Sequence, residues 1–292
     1  MPLANVRPEL LRWARERASR SVEELHRRFP KFRAWESGNK VPTLKQLEAV
    51  AKALFVPVGY LFLSEPPRER IPIPDLRTVS SRFLGHPSPD LIDMLHLCQR
   101  RQAWYRDHVR TTGGDPCRFV GSVNIDAPVV KTAETISAAL GFDLETRRAC
   151  PTWTEALRHF IEQVEHVGVL VMVSGVVGSN NRRKLEPEEF RGFALSDDLA
   201  PLIFINGGDA KAAQMFTLAH ELAHLWLGES ALSDLRPDSV PSHEIEGWCN
   251  RVAAELLVPA KVLRDLLPQI NPLGDADGLA RLFLRAGEYP SA

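Results

Sequence analysis

At 292 residues the chain has room for one large domain or two smaller ones, and 44% hydrophobic with 25% charged residues is the composition of a globular protein with a full core. No stretch reaches the ~18 apolar residues of a spanning helix, and the opening MPLANVRPELLRWARERASR lacks the apolar run expected of a signal peptide or anchor. The net charge of -1 hides an asymmetry, since residues 1–64 carry 12 Lys and Arg against 6 Asp and Glu. That basic first unit is expected to meet nucleic acid or an acidic partner. Cys98, Cys117, Cys150 and Cys249 form no Cys-x-x-Cys pair, which fits a reducing cytoplasm and argues against a thiolate metal site.

The first unit reads as all-helical. Pro8 opens a helix to Ala18, with proline at its first turn. Ser21-Val22-Glu23-Glu24 has capping-box spacing and opens a second helix to Phe29; a short third ends at Trp35-Glu36-Ser37-Gly38. A second capping box, Thr43-Leu44-Lys45-Gln46, opens a helix to Leu54, and VPVGYLFL closes the unit with apolar anchors. The run AWESGNKVPTLKQLEAVAKALFVPVGYLF resembles the second half of a Xre-type helix-turn-helix domain, which implies DNA binding. One departure weakens that implication: LHRRFPKFRAWESG passes almost directly from the second helix to the third. The residues that would read base edges are missing. Lys31 and Arg33 remain for phosphate contacts, giving salt-sensitive, sequence-poor binding, or the unit docks a protein partner instead.

Residues 65–80 form a linker, with four prolines between Pro66 and Pro74 that disfavour helix and strand alike. Ser88 caps a long helix to about Val109, whose stripe of Leu91, Leu95, Cys98 and Gln102, with Met94 and Trp104, reads as a packing face. His86, His96 and His108 lack ligand spacing. After the loop TTGGDPCRFVGSVN, Asp126-Ala127-Pro128 opens a helix to Leu140, and Thr152 caps another to about His166. The period then changes to strands at Gly168–Val173, Phe190–Ser196 and Pro201–Asn206. Between the first two, GVVGSNNRRK lacks the phosphate-loop pattern and reads as a hairpin whose basic tip could steer an acidic or polar substrate.

The stretch MFTLAHELAHLWLG carries the chemistry. His220 and His224 are four apart on a helix and point the same way, so their imidazoles can hold one Zn²⁺ with Glu221 in reach of the attacking water as general base. Thr217 shares their stripe, while Met215, Leu218, Leu222, Leu225 and Trp226 supply the apolar remainder. Asp209 is a plausible N-cap and Gly228 a plausible stop. A third ligand is expected on the helix within Ser242–Pro259. Glu246, 22 residues after His224, is preferred. It shares a face with Asn250, Ala253 and Leu257, a surface able to pack on the zinc helix. Glu244 and Glu255 compete; Glu244 sits where acidic residues ordinarily meet the helix dipole, and Glu255 lies about 180° round from Glu246. Three protein ligands leave the fourth position open, the catalytic pattern. Cys249 reads as a buried thiol.

FTLAHELAHLWLG followed by EIEGWCNRVAAELLVP resembles the ImmA/IrrE family of metallo-endopeptidases, with similarity reaching back through FRGFALSDDLAPLIFIN and covering about residues 165–260. The resemblance implies a zinc-dependent peptidase acting on helix-turn-helix repressors, with His220, His224 and Glu246 at ligand positions and Glu221 at the catalytic one. It extends to an IPIPD-type stretch like that of the linker, whose expected role is tethering or, second to that, lying in the cleft as an inhibitor. In peptidases of this architecture an exposed strand edge aligns the substrate, and strand Pro201–Asn206 leads into the zinc helix. No oxyanion-stabilising residue can be named; His243 is a candidate only by its nearness to Glu246. The expected fold is α+β and mostly helical. A small helix-turn-helix-like domain (1–64) and the linker precede a zincin-like domain (81–292) whose small sheet packs on the zinc helix. Its end, Leu263–Ala292, is expected to be a helix, a turn at NPLGDADG and a helical tail. The function expected is cleavage of a regulatory protein in a stress, mobile-element or anti-phage response. The alternative is a DNA- or protein-binding transcriptional regulator whose peptidase-like domain senses or scaffolds.

Overall fold

The computed structural model describes residues 3–67, 71–75, 87–148, 150–233 and 244–266. The chain divides into two compact units, Met1–Pro72 with Phe83–Asp93, and Ile73–Arg82 with Met94–Ala292.

In the first unit, α1 (Pro8–Arg17), α2 (Val22–Arg28), α3 (Phe32–Glu36) and α4 (Leu44–Ala53) are followed by a 3-10 turn, Val58–Phe62. Both predicted capping boxes form, at Ser21 with Glu24 and at Thr43 with Gln46, so each helix starts where its first orphan amides find side-chain partners. The core gathers Leu10, Phe32, Trp35, Leu47, Val50 and Leu61. Arg15 pairs with the nearly buried Glu36 at 2.7 Å. The third helix has only five residues, and both of its large side chains, Phe32 and Trp35, are buried. Arg33 is held at 2.8 Å by Glu23.

The helix α5 (Pro89–Thr112), which passes from the first unit into the second after Asp93, starts at Ser88, whose Oγ accepts the Leu91 amide at 3.1 Å. Its stripe of Leu91, Leu95, Cys98 and Gln102 is buried, but Trp104 is 70% exposed and leaves the packing face that it was expected to join. The reason is angular: two residues past Gln102 is about 200° round the helix. Trp104 stacks instead on exposed His108. Then come α6 (Val129–Leu140), α7 (Leu144–Arg148) and α8 (Trp153–His166).

The strands are β1 (Leu170–Ser174), β2 (Val176–Val177), β3 (Asn180–Lys184), β4 (Gly192–Leu195) and β5 (Leu202–Asn206). After them come α9 (Lys211–Leu227), β6 (Ala231–Ser233), α10 (Glu244–Leu257) and α11 (Ala260–Leu266). The main sheet has the order β1-β5-β4-β6, with β1 parallel to β5 and β4 antiparallel to both its neighbours. The strand that leads into α9 is therefore internal; the outermost strands are β1 and β6, not the stretch ending at Asn206. β2 and β3 form the expected hairpin.

Alternation sorts the sheet's two faces. Ala194, Ile203 and Ile205 join the core that holds Met215, Leu218 and Leu222 of α9. Phe193 and Phe204, paired in register, stack at 5.0 Å. On that opposite side Met172 meets Cys98 and Arg101 of α5, and Gln102 donates to the carbonyls of Leu195 and Ala200, both at 2.9 Å. The sheet is thus sandwiched between α5 and α9 in a layered α+β arrangement. Among the described residues, no helix is long and apolar enough to cross a membrane. Of the predicted segment Leu263–Ala292, all beyond residue 266 lies outside the described residues, as do His86 and His243.

Candidate metal centre

The helix α9 begins one residue later than its sequence predicts. Ala210, not Asp209, is the N-cap residue, and its side chain offers no cap. Asp209 instead accepts the Ala210 amide at 2.8 Å, and Gln214 reaches back to the carbonyls of Gly207 and Asp209. The stop is as read: Gly228 is left-handed, with φ 75°. A loop crosses this end of the helix. Its Gly121 and Val123 amides donate to the carbonyls of Leu225 and Trp226, both at 3.1 Å, and Phe119 stacks on Trp226 at 4.2 Å. The carbonyls a helix end leaves bare are thereby satisfied inside the protein.

α10 packs along α9, fixed by Trp248, whose indole N–H donates to the Ala127 carbonyl at 3.0 Å. Arg147 of α7 donates to the Leu257 carbonyl at its far end. The buried face of α10 is Glu246, Trp248, Cys249, Val252, Ala253 and Leu256. Asn250 and Leu257, expected on that face, are only half-buried, because the apolar side chains at 248, 249, 252 and 256 turn the helix toward themselves.

Between the two helices His220, His224 and Glu246 come together. The two Nε2 atoms are 3.0 Å apart, and the Glu246 oxygens lie 3.3 Å from that of His220 and 3.1 Å from that of His224. All three side chains are buried, and their candidate ligand atoms fall within 4.8 Å of one another. Of the three carboxylates weighed on α10, Glu246 is the one that meets the imidazoles. Glu244 is exposed, and Glu255 accepts the Ala260 amide at the start of α11.

Two imidazole nitrogens and a carboxylate converging on one point are the donor set of a three-ligand zinc site, so the residues fit the ion. Burial disfavours the Glu246 carboxylate, but hydrogen bonds from His220 and His224 outweigh it and hold its pKa at about 2. Burial also holds His224 below the usual imidazole range, against the pull of Glu246. An ionised carboxylate beside a neutral imidazole is the state that accepts a cation. Cys249, one turn from Glu246, has its thiol pushed well up, first by burial and then by the charges of Glu246 and Glu221. It stays protonated and inert, as the sequence reading expected.

Glu221 is fully buried on the same helix. Sequence reading missed its neighbour Gly192. A Cβ built there would stand 2.5 Å from Thr217 Cγ2, 2.8 Å from the Phe204 carbonyl oxygen and 3.2 Å from Glu221 Oε1. Only a residue without a side chain lets β4 lie this close to α9. The signal was a lone glycine inside a strand pattern, which marks close backbone approach.

Residues 164–283 match the family described as IrrE N-terminal-like domain, a peptidase family. The chain is 43% identical over 90 residues to a protein named radiation response metalloprotease IrrE from Deinococcus deserti, covering 29% of this chain and 31% of that one. It is 38% identical over 93 residues to the protein of the same name from Deinococcus radiodurans, covering 29% and 27%. The matched segment thus spans less than a third of either relative. The span 164–283 contains the convergent residues of α9 and α10, so the domain that carries them is IrrE N-terminal-like.

Proposed function

We propose that the chain is a zinc-dependent metallo-endopeptidase, with His220, His224 and Glu246 as ligands and Glu221 as the catalytic residue. The observation that carries this reading is the convergence of two imidazoles and one carboxylate within 4.8 Å, with Glu221 on the same helix beside the first ligand. Zinc bound there supplies the Lewis acidity that polarises a peptide carbonyl and makes water nucleophilic at neutral pH. Glu221 takes the proton of the attacking water and passes it to the leaving amine. Its burial on α9 against Gly192 of β4 keeps bulk water from competing for that proton. Glu246 stays ionised and His224 neutral, so neither of these two need shed a proton at neutral pH before metal enters.

The domain then has the character of a zincin, in which a helix carries two ligands and the general base beneath a small sheet. Both Deinococcus relatives are named as radiation response metalloproteases. A regulatory protein of repressor type, cleaved in a stress, mobile-element or anti-phage response, is the substrate class that goes with that reading. The basic N-terminal unit, helix-turn-helix-like in sequence, recruits a partner rather than reading bases, since its third helix has five residues and buries both aromatics.

The test is Glu221→Gln. Zinc content of the purified variant should match the parent, at about one ion per chain, while cleavage of a protein substrate falls by orders of magnitude. A variant that binds zinc and cuts as fast as the parent removes Glu221 from the mechanism.

A further inference from the structure

Residues 73–75 of the linker run along the outer side of β6. The Leu232 amide donates to the Pro74 carbonyl at 3.0 Å, and Asp75 bridges Leu232 in the parallel sense. β6 ends the four-stranded sheet, so this short segment sits where a fifth strand would. On its other side β6 pairs with β4, and Ser233 lies opposite Gly192, the residue that abuts Thr217 and Glu221. A chain on the outer side of β6 is two strand spacings from Gly192, roughly 10 Å.

The sequence sets what residue 74 can give that edge. In a strand the N–H and C=O of one residue point to the same side. The Pro74 carbonyl faces β6, so an amide at this position would face it too, but proline has no N–H. At residue 74 the segment accepts from the edge and cannot donate to it. Proline there blunts the edge. An extended peptide without it would make a ladder bond that the resident cannot.

We propose that the outer edge of β6 is the strand-addition dock for the extended protein substrate, and that Ile73–Asp75 occupies it in cis until substrate displaces it. The inference rests on the peptidase reading, because the dock is useful only beside a site that cuts. It gives the linker a second role: the same residues that tether the first unit guard the edge.

The experiment uses the full-length, zinc-loaded chain carrying Glu221→Gln, with reduced, unfolded casein as the probe. Ile73→Gly with Pro74→Gly loosens the cover. Pro74→Ala tightens it by restoring an amide that faces β6. Casein should bind the loosened chain several-fold more tightly than the parent, and the Pro74→Ala chain several-fold more weakly. In the loosened chain the Leu232 amide should exchange faster with solvent, and bound casein should protect it again. Equal affinity across the three chains, or casein that binds while Leu232 goes on exchanging, overturns the proposal. Turnover by the matching chains with Glu221 intact is a separate readout: casein held at the edge but never cut supports the dock and removes the peptidase reading.

Discussion

Gly192 is the residue on which the geometry of the centre most visibly depends. An alanine methyl there has two hard neighbours, the Thr217 side chain at 2.5 Å and the Phe204 carbonyl at 2.8 Å. The carbonyl belongs to the backbone of the central strand and cannot rotate aside, so the relief must come from β4 separating from α9. Gly192→Ala should therefore cost about 1–3 kcal/mol of stability, as overpacked cores do. It should lower turnover as well, because the helix that moves carries His220 and Glu221. Chemical denaturation with a kcat measurement on the same samples checks both. Unchanged stability would mean that the close approach of β4 to α9 is not there. The pattern His-Glu-x-x-His was legible because two imidazoles and a carboxylate lie within five residues of one helix. Glu246 was legible only as a preference among three carboxylates, since spacing cannot say which way a second helix turns. Burial of Cys249, Val252 and Leu256 decides that turn.

At the scale of elements, local chemistry was readable wherever a side chain meets its own helix. The capping boxes at Ser21 and Thr43, the cap at Ser88 and the glycine stop at Gly228 all lie within a few residues of the groups they satisfy. What escaped is non-local. β6 is three residues with no period to detect, and β5 became an internal strand only because β1 and β4 flank it. Ile73–Asp75 is proline-rich and reads as coil, yet it lies on a sheet edge some 157 residues away in sequence. The crossing of Gly121 over Gly228 is of the same kind. A Cβ on Gly228 would lie 2.9 Å from Gly121 Cα, and its φ of 75° is itself unfavourable for any L side chain. Gly228→Ala should thus cost more than the roughly 1 kcal/mol of a simple left-handed C-cap replacement, because it also pushes the loop off the end of α9. Hydrogen exchange at the Gly121 and Val123 amides reads that second part; a stability loss with those two amides still protected would reduce the effect to backbone strain alone.

For the whole molecule, metal binding at the candidate centre is expected to be linked to folding through one core and not the other. The centre is set in the cluster that holds Leu218, Leu222, Trp226, Trp248 and Val252, and α9 and α10 meet there around His220, His224 and Glu246. The N-terminal core of Leu10, Phe32, Trp35, Leu47 and Val50 shares no residue with it. A ligand that binds only the folded state stabilises it by about 4 kcal/mol when present at roughly a thousand times its dissociation constant. Stripping zinc with a chelator should withdraw stabilisation of that order from the second unit. Without the cation, Glu246 is an ionised group in a buried setting, and the two imidazoles beside it carry no full compensating charge. Amide exchange along α9 and α10 should therefore accelerate by orders of magnitude, while the amides of Leu47–Leu54 in the first unit keep their rates. Re-adding zinc should restore the α9 and α10 rates in the parent chain and fail to do so in Glu246→Ala. Acceleration spread evenly over both cores would mean that the chain unfolds as a single cooperative unit. No acceleration at all would mean that zinc contributes nothing to the packing of α10 on α9, and that these two helices hold the centre open on their own.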